Sequence, residues 1–151
     1  MAKPLIITPE NSELIDTGKC GVVYLIGDDA IKVPIKICDR FLREEYDIHQ
    51  AIYGGGYPVP EPRGVIEVLV NGTASAVKAF RMERIYGTNL EEMWTNIGNL
   101  FADAEEIKDS IANNLGIGIR GIYQLALRNV MWNERIQGIN LIDFGNWWRF
   151  R

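Results

Sequence analysis

The first half of the chain shows the apolar patterns of paired β-strands. Apolar residues, many of them β-branched, fill 22–26 and 30–33, and the turn signal Gly27-Asp28-Asp29 lies between them. This arrangement predicts a β-hairpin. A second pair of strands is predicted at 65–70 and 76–82, where apolar runs again flank a turn-forming stretch.

Helical periodicity separates the two hairpins and returns in the second half. Between the hairpins, 39–53 places apolar side chains on one stripe and predicts a helix. Two further helices are predicted at 90–101 and 104–115, followed by a short hairpin formed by 130–132 and 139–142. With one more strand ahead of the first hairpin, the predicted order is three strands, a helix, two strands, two helices and two strands. Because no parallel βαβ repeat occurs, we expect an α+β fold.

The helix predicted at 90–101 depends on two signals. Thr88-x-x-Glu91 has the spacing of a capping box, in which two side chains satisfy the free N–H groups of a helix start. Apolar residues follow at helical spacing, and we expect them to face the core: Leu90, Met93, Trp94, Ile97 and Leu100.

Composition restricts the class of protein without naming a function. At 151 residues and 47% apolar content, the chain can form one domain or two small lobes around a core. A net charge of −4 argues against nucleic acid as the main partner. No apolar run reaches the ~20 residues that span a bilayer, and the N-terminal run is too short for a secretory signal. We therefore expect a cytoplasmic protein with no membrane partner.

Two features of the first half have phosphate-binding chemistry. The stretch Asp16 to Tyr24 contains Gly18 and Gly21, whose backbone N–H groups can approach phosphate oxygens, although a plain hairpin turn fits equally. Lys32 lies inside an apolar strand, where a partner charge or a phosphate would stabilise it. The alternative is an edge-strand lysine that points to water.

Three oxygen-bearing residues complete the candidate chemistry. Glu44 on the first helix could reach Lys32, although a solvated acidic face is the usual reading of such a helix. Asn129 and Asp143 precede and follow the predicted C-terminal hairpin, so we expect them to meet at its mouth. Carboxylate and amide oxygens are suitable ligands for Mg²⁺.

In this order the motifs resemble those of the eukaryotic-type protein kinase family, from about Leu14 to the last residue. The matching stretches are Gly18-x-x-Gly21-x-Val23, Ala30-Ile31-Lys32, Glu44, 79–85 followed by Gly87 and Leu90, Asn129, and Asp143-Phe144-Gly145. The resemblance implies a kinase-like fold. Its N-lobe, 1–84, would hold an antiparallel five-stranded sheet and the αC helix, and its mostly helical C-lobe, 85–151, would be truncated.

The resemblance also implies a role for each matching residue. Lys32 would pair with Glu44 and hold the α- and β-phosphates of ATP, while Asn129 and Asp143 would hold Mg²⁺. The residues it assigns to the nucleotide are Gly18, Gly21, Val23, Ala30, Lys32, Glu44, Glu83 and Ile85.

The sequence departs from the family pattern at the catalytic loop. Gln124 occupies the position of the catalytic aspartate, five residues before Asn129, and Ile122 replaces the usual histidine. An amide cannot accept a proton as a carboxylate can, and loss of a positioned base often costs about 10²–10⁴-fold in rate. Asp16 also replaces the first glycine of the loop.

Only six residues follow Gly145, so the activation segment and later helices of a kinase are missing from this sequence. Trp147, Trp148 and Phe150 lie in this short end. They either fold back over the helices or form an exposed aromatic patch for a protein partner or for self-association.

Three functions remain open from the sequence. The first is a nucleotide-binding pseudokinase that regulates a kinase pathway by binding protein. The second is a weakly active minimal kinase or ATP-hydrolysing phosphotransferase, because positioning and charge stabilisation supply most of kinase catalysis. The third is a structural module that binds no nucleotide.

Overall fold

The computed structural model describes residues 3–17, 21–35, 39–73, 75–120 and 125–151. The chain divides into two compact units. The first comprises Met1–Glu44 and Glu61–Arg84, and the second comprises Glu45–Pro60 and Ile85–Arg151. Each unit has its own core of apolar side chains.

The first unit contains a six-stranded sheet. Its strands are β1 (Leu5–Ile7), β2 (Glu13–Thr17), β3 (Gly21–Ile26), β4 (Asp29–Pro34), β5 (Pro62–Val70) and β6 (Val77–Glu83). They lie in the order β1-β5-β6-β4-β3-β2, and every pair is antiparallel except β1 with β5. One face of this sheet packs a core of apolar side chains, namely Ile7, Ile31, Val33, Val68 and Ala79.

The α+β class is confirmed, and the sheet has one strand more than the five expected. Strands β2 to β6 form an antiparallel set of five. The sixth, Leu5–Ile7, pairs in parallel with the end of β5, where Ile7 lies opposite Val70. Three residues are too few to show strand alternation, so no local pattern marked this strand.

The second unit contains two small sheets and most of the helical residues. Helix α1 is Asp39–Gly54, close to the predicted 39–53, and its residues from Glu45 onward belong to this unit. The other elements are β7 (Gly87–Asn89), helix α2 (Ile97–Leu115), β8 (Ile117–Ile119), β9 (Val130–Asn133), β10 (Gly138–Leu141) and β11 (Trp147–Arg149). Two 3-10 turns span Leu90–Glu92 and Leu127–Asn129.

Strand pairing in the second unit confirms the C-terminal hairpin. Strands β10, β9 and β7 form one antiparallel sheet, with Leu141 opposite Val130 at one end of the hairpin. Strands β11 and β8 form a separate two-stranded sheet. The core between these sheets and the helices contains fully buried residues from every part of the unit, including Ile52, Leu90, Ile111, Val130, Leu141 and Phe144.

The prediction of two helices at 90–101 and 104–115 is wrong about where the helical residues begin and how they are divided. A 3-10 turn at Leu90–Glu92 is followed by an extended segment, and one continuous helix then runs over Ile97–Leu115. The cap is Asn89 rather than Thr88, since its side chain accepts a hydrogen bond from the backbone N–H of Glu92 at 3.1 Å. Asn96, in the left-handed conformation with φ 60°, separates the turn from the helix.

One member of the predicted apolar stripe lies outside the core. Leu90 is fully buried, whereas Trp94, which lies between the 3-10 turn and helix α2, is 96% exposed. Among the residues that the structure describes, neither helix combines the length and apolar composition needed to cross a lipid bilayer.

Candidate functional site

Four predicted nucleotide residues can be located by strand register in the first unit. Val23 lies opposite Lys32, and Gly21 lies two residues from Val23 on the same strand. Ala30 lies two residues from Lys32. Because residues two apart share a face, and so do directly opposed residues, Gly21, Val23, Ala30 and Lys32 all lie on one face of the sheet. This face is opposite to the one that carries Ile31 and Val33 in the core.

The side chain of Lys32 lies over Gly21. A Cβ built on Gly21 would be 3.1 Å from Cε and 3.2 Å from Cγ of Lys32, closer than ordinary van der Waals contact. Lys32 is half-buried and lies opposite the buried ring of Phe80 on β6. The absence of a side chain at Gly21 therefore leaves room for the lysine stem along this face.

Helix α1 presents two neighbouring glutamates in different surroundings. Glu44, the predicted partner of Lys32, is exposed, whereas Glu45 is half-buried. The Oε1 atom of Glu45 lies 3.1 Å from the position that a Cβ on Gly145 would take. The carboxylate of Glu45 therefore approaches the Asp143-Phe144-Gly145 motif within the second unit.

Sequence reasoning missed Glu45, although helical spacing carried a signal. Leu42, His49 and Ile52 are buried, and Glu45 falls on the same helical stripe at intervals of three and four residues. A carboxylate on a buried stripe requires a charged or hydrogen-bonding partner. Glu45 therefore joins the candidate site residues, beside Glu44.

Asn129 and Asp143 lie at the same end of the β9–β10 hairpin. The backbone N–H of Ile142 donates to the carbonyl oxygen of Asn129 at 2.9 Å, just beyond the Leu141–Val130 pair. Asn129 is half-buried and Asp143 is exposed. Two oxygen-bearing side chains therefore flank one backbone hydrogen bond at the edge of the second unit.

Asp143 has an uncommon backbone conformation. Its φ is 63°, in the left-handed region that aspartate tolerates better than most residues. Its Oδ1 accepts a hydrogen bond from the backbone N–H of Gly145 at 3.1 Å. A Cβ on Gly145 would lie 3.4 Å from that oxygen and 3.1 Å from the Glu45 carboxylate, so two acidic groups approach this glycine.

This donor set fits a divalent cation only with help from further ligands. Within the described part of the chain, no three side chains from His, Cys, Asp and Glu cluster closely enough to hold a metal. Mg²⁺ typically takes one or two carboxylates and completes its shell with phosphate oxygens and water. Asp143 with Asn129 is compatible with that mode and not with an all-protein metal cage.

Phe144 anchors the motif in the core. Its ring is 1% exposed and its centroid lies 4.9 Å from that of His49 and 5.5 Å from that of Trp147. His49, the only histidine of the chain, is itself buried, and its Nε2 donates to the carbonyl oxygen of Pro60 at 2.6 Å. Since a carbonyl can only accept, this ring nitrogen carries a proton. The imidazole of His49 on helix α1 therefore contacts both the carbonyl oxygen of Pro60 and the ring of Phe144.

The two predicted adenine residues, Glu83 and Ile85, belong to different units. Glu83 ends β6, and Ile85 begins the second unit. The backbone N–H of Glu83 donates to the carbonyl oxygen of Glu61 at 2.8 Å, and its Oε1 accepts from the N–H of Glu61 at 3.1 Å. The amide of Glu83 is therefore occupied by the neighbouring strand.

A charged cluster next to this strand end fixes the backbone. The guanidinium of Arg63 donates to Asp29 at 2.8 Å and to Glu61 at 3.1 Å. These hydrogen bonds, first that to Asp29 and then that to Glu61, raise the pKa of Arg63 above its ordinary value. Arg63 also donates to the carbonyl oxygen of Asp28, so the cluster links the β3–β4 turn to β5.

Two predicted site residues, Gly18 and Gln124, lie outside the described residues.

The C-terminal aromatic residues divide between core and surface. Trp147 is 4% exposed and packs on Phe144, so of the two alternatives it takes the first and folds back into the core. Trp148 is 42% and Phe150 is 44% exposed, with ring centroids 6.4 Å apart. The guanidinium of Arg120 lies 5.9 Å from the Trp148 ring centroid. Alternation along β11 explains the division, since neighbouring residues point to opposite faces.

Comparison with known proteins supports the fold. No family profile matches the chain, and no curated protein matches it. Among solved structures, the chain is similar to the crystal structure of the Rio2 kinase–ADP/Mg²⁺–phosphoaspartate complex from Chaetomium thermophilum, at 15% identity and a TM-score of 0.59. The match covers 89% of this chain and 47% of that chain, so this chain spans about half the length of the kinase. The chain therefore has a kinase-like fold.

Proposed function

We propose that this protein binds ATP with Mg²⁺ in the manner of a kinase and acts as a pseudokinase, by binding rather than by efficient phosphoryl transfer. The observation that carries the proposal is the shared face of Gly21, Val23, Ala30 and Lys32, in a chain with a kinase-like fold. The similar Rio2 kinase was solved with ADP and Mg²⁺, which supports the choice of ligand.

In the proposed complex, the sheet face of the first unit binds the nucleotide. The small side chains at Gly21 and Ala30 leave space against the backbone, and the apolar Val23 suits the flat face of a base. The ammonium of Lys32 would neutralise phosphate oxygens and would require a carboxylate partner. We assign that partner to Glu44, as the motif order indicates, and Glu44 belongs to the same unit as Lys32.

The metal would bind at the end of the β9–β10 hairpin. Asp143 would supply a carboxylate oxygen and Asn129 an amide oxygen, and the triphosphate would supply the others. When bound, Mg²⁺ neutralises phosphate charge. The left-handed backbone of Asp143 and its hydrogen bond to Gly145 support a fixed orientation of this carboxylate.

The amide of Gln124, at the position of the catalytic aspartate, favours a pseudokinase over an active kinase. A hydroxyl substrate must lose its proton during phosphoryl transfer, and a carboxamide cannot take it. The remaining candidate groups bind and orient nucleotide. The chain would then regulate a kinase pathway through its nucleotide-bound state.

One observation favours the alternative of a weakly active phosphotransferase. The similar Rio2 kinase was solved with a phosphoaspartate. A carboxylate oxygen is already ionised, so it can attack the γ-phosphorus, form an acyl phosphate and release ADP without a general base. Water would then cleave the acyl phosphate to aspartate and inorganic phosphate. Asp143, exposed and proposed next to the metal, is the candidate nucleophile in this chain.

A thermal-shift titration with Mg-ATP tests nucleotide binding. At a hundred times the Kd, a ligand that binds only the folded state stabilises it by about 2.7 kcal/mol, and we expect a shift of that order for the wild-type chain. Lys32→Ala should abolish most of the shift, and Asp143→Ala should abolish its dependence on Mg²⁺. Lys3→Ala, which removes an exposed lysine outside the strands of the sheet, is the matched control and should respond as wild type.

The same proteins distinguish the remaining functions. Absence of any shift in the wild-type chain would leave the structural module as the function. Release of labelled phosphate that is lost in Asp143→Ala but retained in Lys3→Ala would favour the phosphotransferase, and a normal shift without release would favour the pseudokinase.

A pseudokinase needs a protein contact, and the exposed pair Trp148 and Phe150 is the surface proposed for it. Trp and Arg are enriched in binding hot spots, and Arg120 lies beside Trp148. The double variant Trp148→Ala, Phe150→Ala should keep the Mg-ATP shift and lose co-purification of a kinase-pathway protein from cell extract. Unchanged co-purification would exclude this surface.

A further inference from the structure

The β8–β11 sheet of the second unit carries two exposed rings on one face. Trp148 lies opposite Gly118 in the strand register, and Phe150, two residues further along β11, shares its face. A Cβ on Gly118 would lie 3.1 Å from Cε1 of Phe150, so the glycine leaves room for this ring to lie across β8. We call the rings of Trp148 and Phe150, together with Gly118, the aromatic face.

The stretches that build the aromatic face are basic in an acidic chain. Residues 110–120 and 144–151 contain three arginines and neither aspartate nor glutamate, whereas the whole chain has a net charge of −4. The guanidinium of Arg120 lies 5.9 Å from the centroid of the indole of this face, and that of Arg151 lies 5.8 Å from the centroid of its phenyl ring. An anionic ligand is therefore complementary in charge to the aromatic face.

The three arginines differ in what they contact. Arg151 binds the C-terminal end of helix α2, where its Nη2 donates to the carbonyl oxygens of Ala112 at 2.8 Å and Asn113 at 2.6 Å. Arg120 and Arg149 are both exposed. These two arginines are therefore the ones that we assign to a ligand.

Strand β11 also presents backbone groups at its outer edge. In the part of the chain that the structure describes, β8 and β11 form a sheet of two strands, so β11 is an edge strand. The N–H of Phe150 donates to the carbonyl oxygen of Gly116 at 2.8 Å, and bonded and non-bonded pairs alternate along an antiparallel ladder. The next pair, Arg149 with Ile117, is therefore non-bonded, and the N–H and C=O of Arg149 point away from β8. An extended peptide can pair with such an edge.

The edge and the aromatic face together favour an extended peptide with alternating side chains. Successive side chains of a strand point to opposite faces, so a peptide beside β11 places every second residue on the aromatic face. Apolar side chains suit the two rings, and carboxylates suit the neighbouring guanidinium groups. A nucleic acid fits less well, because a chain with a net charge of −4 repels a polyanion.

We propose that the edge of β11 and the aromatic face bind an extended acidic peptide of a partner protein, in which aspartate or glutamate alternates with apolar residues. The peptide backbone pairs with Arg149, and its apolar side chains lie on Trp148 and Phe150. Its carboxylates reach the guanidinium groups of Arg120 and Arg149. The proposal rests on the proposed function, which assigns a protein contact to this surface, and it names the chemistry of that partner. Because the surface is small, we expect a Kd of roughly 10–100 µM.

Fluorescence anisotropy with a labelled peptide tests the proposal. The probe has about ten residues, alternating glutamate and valine, which is long enough for one strand. The wild-type chain should bind it saturably, and the affinity should fall as NaCl rises from about 50 to 300 mM, since exposed charges are screened. A peptide with lysine in place of every glutamate keeps the apolar residues and should not bind.

Substitutions separate the contributions of ring, charge and backbone. Trp148→Ala should weaken peptide binding at least about tenfold, the effect of losing an aromatic hot-spot side chain. Arg120→Gln should weaken it less and should reduce its salt dependence. Arg149→Pro also removes the outward N–H, at an edge position that proline tolerates, so it should weaken binding more than Arg149→Gln. Circular dichroism and melting curves check that each variant is folded.

Trp94→Ala and Arg43→Gln are the matched controls and should bind the peptide as wild type. Trp94 is 96% exposed and precedes helix α2, whereas β8 follows it. The 19 residues of this helix span roughly 28 Å, so Trp94 lies far from the aromatic face. Arg43 is an exposed arginine of helix α1.

Four results would overturn the proposal. They are a wild-type chain that gives the Mg-ATP shift but does not bind the acidic peptide, equal binding of the lysine peptide, Trp148→Ala binding equal to wild type, and tighter binding of a single-stranded uridine oligonucleotide of about ten nucleotides. The last would assign the aromatic face to nucleic acid. Saturable, Trp148-dependent peptide binding by a chain without any Mg-ATP shift would reject nucleotide binding and still support this proposal.

Discussion

Replacing Gly87 by alanine should destabilise the protein more than any other glycine substitution among the described residues. A Cβ on Gly87 would lie 1.7 Å from the carbonyl oxygen of Trp132 and 2.9 Å from its carbonyl carbon. Both are backbone atoms of β9, and Gly87 pairs with Asn133 on that strand. The methyl group can therefore fit only if β7 separates from β9, which we expect to cost at least about 3 kcal/mol.

Urea or thermal unfolding measures this loss. For a chain of this length, about 3 kcal/mol corresponds to a melting temperature lower by roughly 6–12 °C. Gly98→Ala is the matched control. Gly98 lies in α2 with no atom within 4 Å of its added Cβ, so alanine should be neutral or stabilise the helix by about 0.5–1 kcal/mol. Equal melting of Gly87→Ala and wild type would contradict the close approach of these strands.

Local patterns predicted the elements whose signals lie within one stretch of sequence. The β3–β4 hairpin and helix α1 each carry their turn, periodicity or cap nearby, so their existence could be predicted. Strand β1 could not, because the strand it pairs with, β5, is about 60 residues away and parallel. Its stability comes from that distant pairing and not from its own three residues.

The candidate site shows the same division between local and tertiary information. Alternation along β4 separates Lys32 from Ile31 and Val33, so its special position could be predicted from sequence. The half-buried position of Glu45 could not be predicted from motif order. Adjacent residues differ by about 100° around a helix, so the approach of Glu45 rather than Glu44 to Gly145 depends on tertiary packing.

The helix predicted to start at residue 90 was wrong because two capping signals of similar strength compete there. Thr88 and Asn89 are both good caps, and the apolar positions that follow fit a helix equally well from either. Asn96 then adopts φ 60°, which asparagine tolerates better than most residues and which starts α2 afresh. A change of backbone conformation at a single residue does not alter the spacing of apolar residues, so it cannot be predicted from that spacing.

The second large effect is expected at Phe144. Phe144→Ala should cost about 3–5 kcal/mol, since the ring is 1% exposed and its removal leaves a cavity among His49, Trp147 and the core. Phe150→Ala, four-tenths exposed and six residues away, should cost about 0.5 kcal/mol. Chemical denaturation of both variants against wild type gives the comparison, and similar midpoints for the two would show that the Phe144 ring does not anchor the core.

The buried ring of Phe144 also helps to hold the backbone of Asp143, the proposed metal ligand. Asp143 keeps its left-handed backbone only while residues on both sides are held, by β10 before it and by the buried ring after it. Phe144→Leu retains most of the apolar volume, so it should fold and bind nucleotide with an intact Mg²⁺ dependence. Phe144→Ala, assayed well below its lowered melting temperature, should bind nucleotide with little response to Mg²⁺. A full Mg²⁺ response in folded Phe144→Ala would mean that the carboxylate is oriented by the Gly145 hydrogen bond alone.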